Sequence, residues 1–150
     1  MDEETAIAAL RELELFADFT EEHLRLLAFV SQDRDLAPGE TLCEAGSIPG
    51  GAHVLVTGQL EARHTEADGG GRYRISPPSL IGEIGLMINR ARATTLVATR
   101  SSSVLFVPKE PFMKLVRAHP ELARGVADTL RAELTRYLDS IAGLSGRFES

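Results

Sequence analysis

The chain has 150 residues, a length that usually forms one domain with a substantial buried core. Its net charge of −6 gives no electrostatic reason to expect a nucleic-acid partner, and its single cysteine, Cys43, excludes an internal disulfide. No apolar segment reaches the roughly 20 residues that a membrane helix needs, and the acidic start lacks the features of a signal peptide. We therefore expect a single cytoplasmic domain over residues 1–150 that does not interact with membranes.

The first part of the chain carries helix signals. Ile7 and Leu10 recur at helical spacing among acidic residues, and Thr20 precedes two glutamates as an N-cap residue does. These patterns predict N-terminal helices over residues 1–31.

Residues 32–107 consist of short apolar segments separated by glycine and proline. Segments such as 53–57 and 104–107 are rich in β-branched and aromatic residues, which is typical of strands. Many short strands at regular spacing predict a mainly β fold, an antiparallel jelly-roll sandwich (a double-stranded β-helix) with flanking helices. Residues 83–89 interrupt the strand pattern and are predicted to form about two helical turns.

Residues 108–145 are again helical in pattern and are predicted to form two C-terminal helices. Pro120 suits the first turn of the second helix, and apolar residues recur along it at spacings of three and four. Part of this apolar stripe is expected to belong to the core. The oligomeric state predicted from it is a monomer or a weak homodimer through the last helix.

Residues 81–95 bring together groups suited to a phosphorylated ligand. Gly82 allows a ligand to approach the backbone closely, and the predicted helix after it directs N–H groups toward an anion. Arg92 offers a planar guanidinium for two phosphate oxygens, whereas the Glu83 carboxylate suits a hydroxyl donor such as a ribose 2′-OH. The segment therefore predicts a pocket for a nucleotide with one compact phosphate and a free ribose hydroxyl.

This segment resembles the phosphate-binding cassette of the cyclic nucleotide-binding domains found in catabolite activator proteins and in regulatory subunits of cAMP-dependent protein kinase. The matching residues, in the cassette's order and spacing, are Gly82-Glu83-Ile84-Gly85-Leu86 and Arg92-Ala93-Thr94-Thr95. The resemblance extends over nearly the whole chain, helices included. Three positions depart from the family pattern: Pro78-Ser79 stands where Gly-Asp is frequent, Thr94 where alanine is frequent, and His53 where tyrosine or phenylalanine is usual.

The resemblance implies a role for each matching residue. Glu83 would accept a hydrogen bond from the ribose 2′-OH, Arg92 would hold the exocyclic phosphate oxygens, and the backbone N–H groups of Gly85 and Ala93 would complete the phosphate cradle. The predicted ligand-binding residues are Gly82, Glu83, Ile84, Gly85, Arg92, Ala93, Thr94 and Tyr137.

The resemblance also bears on the base. In this family a hydroxyl directly after the cassette arginine is associated with cGMP, and Ala93 lacks one. The predicted ligand is therefore cAMP, with cGMP as the alternative, although Thr94 places a hydroxyl one residue further on. The family covers the base with a residue of its last helix, for which Arg136, Tyr137 and Leu138 are the candidates.

The predicted function is a stand-alone sensor in which nucleotide binding moves the closing helices and signals to a downstream protein that the sequence does not identify. The alternatives are a ligand-independent interaction module of the same fold and the regulatory domain of an ion channel. Too few residues follow Ile141 to form a helix-turn-helix, so direct DNA binding is not expected. No residue set suits an enzyme, and the four histidines lack metal-ligand spacing, so neither catalytic nor metal-binding residues are predicted.

Overall fold

A computed structural model describes the backbone of residues 1–149 and the side chains of residues 1–67, 69–136, 138 and 139. The helices are α1 (Glu3–Arg11), α2 (Glu21–Val30), α3 (Lys109–Ala118) and α4 (Pro120–Glu149), with one-turn 3₁₀ helices at Glu14–Phe16, Glu66–Asp68 and Glu83–Leu86. In this part of the chain, no helix combines the length and apolar character that a membrane crossing requires.

The strands between the helices form two antiparallel four-stranded sheets. They are β1 (Gln32–Leu36), β2 (Thr41–Cys43), β3 (Gly51–Thr57), β4 (Leu60–His64), β5 (Arg72–Ile75), β6 (Ser79–Ile81), β7 (Thr94–Ala98) and β8 (Ser102–Pro108). One sheet has the order β1-β8-β3-β6 and the other β2-β7-β4-β5. The predicted fold class, an antiparallel β sandwich with flanking helices, is confirmed.

Strand β3 is buried on both of its faces, which explains why its sequence is apolar almost throughout. Leu55 lies in the core between the two sheets. Ala52 and Val54 lie in a second core, between the first sheet and the helices. Phe16 and Phe112 join the same helical core, with their rings edge to face and their centroids 6.3 Å apart. The helices therefore form a layer on the first sheet.

The segment predicted to make two helical turns is shorter in the structure. Only Glu83–Leu86, hereafter the cassette turn, is helical, and it is a single 3₁₀ turn. Gly85 lowers the helix propensity of the segment, and the chain must reverse after Leu86 to enter β7. The prediction of two turns is therefore wrong.

Two histidines that are far apart in sequence meet where α2 contacts the junction of α3 and α4. Nε2 of His23 and Nδ1 of His119 each lie 3.4 Å from Oε1 of Glu121. Nδ1 of His23 accepts a hydrogen bond from the backbone N–H of Thr20, so a neutral His23 carries its proton on Nε2, facing Glu121. This tautomer suits a hydrogen bond to the carboxylate and does not suit a metal ligand. The contact connects the N-terminal helices to the start of α4.

His53 is a buried titratable group within the sandwich. It lies on β3 between Ile81 of β6 and Phe106 of β8, and its ring lies 5.0 Å from that of Phe106. Burial, with smaller contributions from the positive charges of Arg92 and Arg34, lowers the pKa of His53 to about 4. At neutral pH the imidazole is therefore uncharged.

The lowered pKa of His53 predicts a loss of stability in mild acid. In the unfolded chain the group titrates near its ordinary value of 6.5, so between pH 6.5 and about 4 the unfolded state binds more protons than the folded state. The contribution is complete above pH 6.5 and is lost as the pH falls toward 4, by about 3 kcal/mol.

Urea unfolding of the wild type and of His53→Phe at a series of pH values isolates this effect, since the carboxylates titrate in both proteins. The difference between their free energies of unfolding should change by up to ~3 kcal/mol across the window. Parallel pH profiles would contradict the burial of a neutral His53.

Candidate functional site

The residues of the predicted cassette line a pocket of about 220 Å³ between the cassette turn and the start of β7. All of the predicted ligand-binding residues except Tyr137 line it: Gly82, Glu83, Ile84, Gly85, Arg92, Ala93 and Thr94. The side chain of Tyr137 lies outside the described residues.

The backbone of Arg92 is held by the loop between β2 and β3. The Arg92 N–H donates to the carbonyl of Ser47 at 2.7 Å, and its carbonyl accepts from the N–H of Gly46, also at 2.7 Å. In the same loop the N–H of Ala45 donates to Thr95 Oγ1 at 3.0 Å. These contacts fix where the arginine side chain leaves the backbone.

The guanidinium of Arg92 contacts neighbouring side chains but keeps a buried donor without an acceptor among the described residues. Nη2 donates to Thr94 Oγ1 at 2.8 Å, and the Thr94 side chain is buried. Nε is also buried, and it has no hydrogen-bond acceptor. Within the described part of the chain, Arg92 has no ion-pair partner. A buried cationic donor without an acceptor is costly, so this geometry is suited to an anionic ligand.

Glycines bring the cassette turn close to its neighbours. Gly82 has a φ of +75°, which favours glycine, and a Cβ there would lie 3.4 Å from Nη1 of Arg92. A Cβ on Gly85 would lie 2.5 Å from the carbonyl oxygen of Gly51, so no side chain fits there. Buried Ile84 and Leu86 anchor the turn in the protein interior. The motif's small and aliphatic positions are therefore explained by packing.

One of the two predicted backbone donors is already engaged. The N–H of Gly85 donates to the carbonyl of Gly82 at 2.8 Å within the cassette turn. A phosphate at this position would have to share or replace that hydrogen bond. The predicted role of Gly85 therefore requires a rearrangement that the predicted role of Arg92 does not.

Glu83 is half-buried and borders two cavities. It lines the pocket, and it also lines a cavity of about 180 Å³ between the cassette turn and α4. Glu133 of α4 lines the same two cavities. The cassette turn and α4 are therefore adjacent at the predicted ribose site.

Two further groups in contact with the site do not neutralise Arg92. Burial raises the pKa of the Cys43 thiol, although the charges of Arg92 and Arg34 partly oppose that shift. The lowered pKa of His53 keeps its imidazole neutral as well. The positive charge of Arg92 therefore remains available to a ligand.

Several pocket residues were missed from the sequence. His64 and Tyr73 come from the β4–β5 hairpin, with their rings 6.1 Å apart, and Glu133 comes from α4. Arg90 is half-buried and also lines the pocket. A signal was available for Glu133, since it follows buried Leu130 by three positions and so flanks the apolar stripe of α4.

Two of the three candidates for covering the base, Arg136 and Leu138, have described side chains, and these occupy different positions relative to the pocket. Arg136 forms an ion pair with Glu133 and lines the smaller cavity. Leu138 is 53% exposed and does not line the pocket. Glu133 is thus the described α4 residue that reaches the pocket wall.

Comparison with known proteins agrees with this architecture. The model of the family described as "Cyclic nucleotide-binding domain" matches residues 33–119. A solved cyclic nucleotide-binding-like protein from Brucella abortus is 30% identical, with 75% of this chain and 97% of that chain covered and a TM-score of 0.66. A second solved structure, described with a cyclic-GMP-dependent signalling pathway in bacterial phytopathogenesis, is 28% identical, with coverages of 81% and 95% and a TM-score of 0.63.

A curated relative, the cAMP-dependent protein kinase regulatory subunit of Blastocladiella emersonii, is 24% identical over 123 residues. The match covers 80% of this chain and 30% of the relative. The chain therefore spans less than a third of the length of the curated relatives that it matches. The family model spans more than half of the chain and includes the cassette residues and strands β2 to β8. The chain belongs to the cyclic nucleotide-binding domain family.

Proposed function

We propose that the chain binds a cyclic nucleotide at the cassette pocket and acts as a regulatory module. The observation that carries the proposal is Arg92, which lines the pocket of cassette residues and whose buried Nε has no acceptor among the described residues. A phosphate oxygen supplies such an acceptor, and a guanidinium binds two phosphate oxygens at once through Nε and an Nη.

The other roles follow from the positions of the residues around Arg92. Glu83 accepts a hydrogen bond from the ribose 2′-OH, and the N–H groups of Gly85 and Ala93 complete the phosphate contacts. Gly82 keeps the turn close to the guanidinium, and Thr94 orients it through its hydrogen bond to Nη2. Neutral Cys43 and His53 leave the phosphate as the anion that balances Arg92.

We propose cAMP as the preferred ligand. Ala93 has no hydroxyl to offer guanine, the Thr94 hydroxyl already accepts from Arg92, and the Glu133 carboxylate is paired with Arg136. The Thr94 hydroxyl and the Glu133 carboxylate, either of which could accept from guanine, therefore already have protein partners. One relative is named for cAMP and another for cyclic GMP, so the preference depends on these local contacts.

We propose that α4 closes over the base when the nucleotide binds and transmits the signal to a downstream protein. The support is that α4 already borders the pocket through Glu133 and shares a cavity with Glu83. A ligand shifts such an equilibrium only through contacts that are better in the closed state. Residues of α4 beyond Thr135, Tyr137 among them, are the source proposed for those contacts.

Arg92→Ala should weaken cAMP binding by about 2–5 kcal/mol, or roughly 30-fold to several thousand-fold, because the phosphate charge loses its partner. Calorimetric titration with cAMP measures the loss, and titration with cGMP tests the base preference. Arg100→Ala is the matched control, since Arg100 is exposed and does not line the pocket. An Arg92→Ala protein that binds within twofold of the wild type would exclude Arg92 as the phosphate ligand.

Glu83→Gln should weaken the binding of cAMP more than the binding of 2′-deoxy-cAMP, because the analogue has already lost the hydroxyl that Glu83 accepts from. Titrating both ligands against both proteins forms a double-mutant cycle, and its coupling energy isolates the contact. Equal losses for the two ligands would show that Glu83 does not contact the 2′-OH.

Truncation after Thr135 should lower the affinity for cAMP and leave the sandwich folded, since the strands and the cassette turn lie before that point. In the full chain, hydrogen exchange should show protection rising over residues 131–144 when cAMP is added. The strand amides report whether the truncated protein is folded. Unchanged affinity together with unchanged protection would contradict closure by α4.

A further inference from the structure

The outer surface of α2 presents apolar side chains to solvent. Phe29 is 88% exposed and Leu26 is 41% exposed, and half-buried Val30 lies on the same helix face. We name these three residues the α2 ridge. A grouped set of exposed apolar side chains is a mark of an interaction surface.

A groove runs along each side of the ridge. The α1 groove, of about 590 Å³, includes Leu26 and Phe29 in its wall together with Ala6 and Leu105. The α3 groove, of about 560 Å³, is lined by Leu26, Val30, Pro111 and Leu115, among others. The surface therefore has a protruding apolar ridge and, on both flanks, apolar recesses that can receive side chains of a partner.

The two grooves carry opposite charges. Four carboxylates line the α1 groove, those of Asp2, Glu3, Glu22 and Asp33. Two cations oppose them, the Arg25 guanidinium and the N-terminal ammonium of Met1, which lies 2.9 Å from Asp33 Oδ2, so the groove keeps a net negative charge. In the α3 groove, Lys114 and Arg117 face one carboxylate, that of Glu110, which lies 3.8 Å from the Nζ of Lys109. A partner that fits must present a basic flank to the first groove and an acidic flank to the second.

The same chain, rotated by a two-fold axis, presents those flanks. We propose that the α2 ridge is the interface of a symmetric homodimer whose two-fold axis runs parallel to α2, between the two copies of the helix. Rotation about that axis places the acidic α1 groove of each copy against the basic α3 groove of the other. The two α2 helices run parallel, and the two ridges meet along the axis.

The charge layout selects this axis from the alternatives. A two-fold axis lying across α2 would make the helices antiparallel and would oppose acidic groove to acidic groove and basic to basic. Like charges across an interface oppose association. The sequence analysis predicts a weak dimer through the last helix, whereas the interface proposed here is formed by α2. It therefore leaves α4 free to move.

Sedimentation of the full chain over a range of concentrations tests the dimer. The wild type should approach the mass of two chains, and Phe29→Ser should raise the dissociation constant at least about tenfold. Ile48→Ser is the matched control, because Ile48 is 60% exposed and lies outside both grooves. Added salt should weaken the dimer, since opposite charges meet across it.

A pair of charge-reversed proteins tests the geometry. Lys114→Glu with Arg117→Glu makes both grooves acidic, and Glu22→Lys with Asp33→Lys reverses charges in the α1 groove. Each protein alone should be monomeric, and an equimolar mixture should form heterodimers. Thermal unfolding of each protein checks that it is folded, and if one is not, the salt dependence and Phe29→Ser decide.

Three outcomes overturn the proposal. If the wild type stays monomeric at every concentration, the α2 ridge does not bind a second copy of this chain and its partner is a different molecule. A dimer that persists unchanged in Phe29→Ser uses another surface. A dimer that strengthens with salt, or a mixture of folded charge-reversed proteins that stays monomeric while the wild type dimerises, excludes the two-fold axis parallel to α2.

Discussion

The guanidinium of Arg92, with its buried Nε, is the constraint on which the rest of the site depends. A buried donor without an acceptor lowers the stability of the fold by on the order of 1–3 kcal/mol, and by more when it is charged. Other hydrogen bonds must therefore hold Arg92 in place. These are two backbone hydrogen bonds to the β2–β3 loop and one side-chain hydrogen bond to Thr94. A group held in this way, with its buried Nε lacking an acceptor, is already positioned for an anion.

The sandwich positions every element that this arrangement requires. Strand β3 is buried on both faces, and its first residue, Gly51, lies against Gly85 of the cassette turn. Strand β7 begins at Thr94, two residues after the cassette arginine. The helical layer places α4 beside the cassette turn, so a movement of one of these elements would displace the other. The binding and the α4 closure that we propose therefore meet at the contact between the cassette turn and α4.

The cassette could be predicted from the sequence because its residues are close together in the chain. Gly82, Glu83 and Arg92 lie within eleven residues of one another, so the motif that they form is visible in a single short segment. The jelly-roll class was likewise predictable, since short strands between glycine and proline turns leave few other folds. In both cases local patterns determine the result.

The rest depends on contacts between distant parts of the chain, which local patterns do not specify. Glu133 reaches the pocket because α4 packs against the cassette turn, and Tyr73 reaches it through the register of the β4–β5 hairpin. The pairing of His23 with His119 through Glu121 requires the packing of α2 on the α3–α4 junction. The cassette turn is shorter than predicted because packing against Gly51 and the return to β7 override the helical pattern.

The measurement that tests the central claim most directly is the NMR signal of the Arg92 Nε–H group, assigned by its disappearance in Arg92→Lys. On addition of cAMP, the account predicts that this signal shifts strongly downfield and becomes protected from exchange with water, because Nε gains a phosphate acceptor. The Nε–H signals of arginines outside the pocket should stay in place. A signal from Arg92 that moves no more than those of the other arginines, at a cAMP concentration that saturates the protein, would contradict the account.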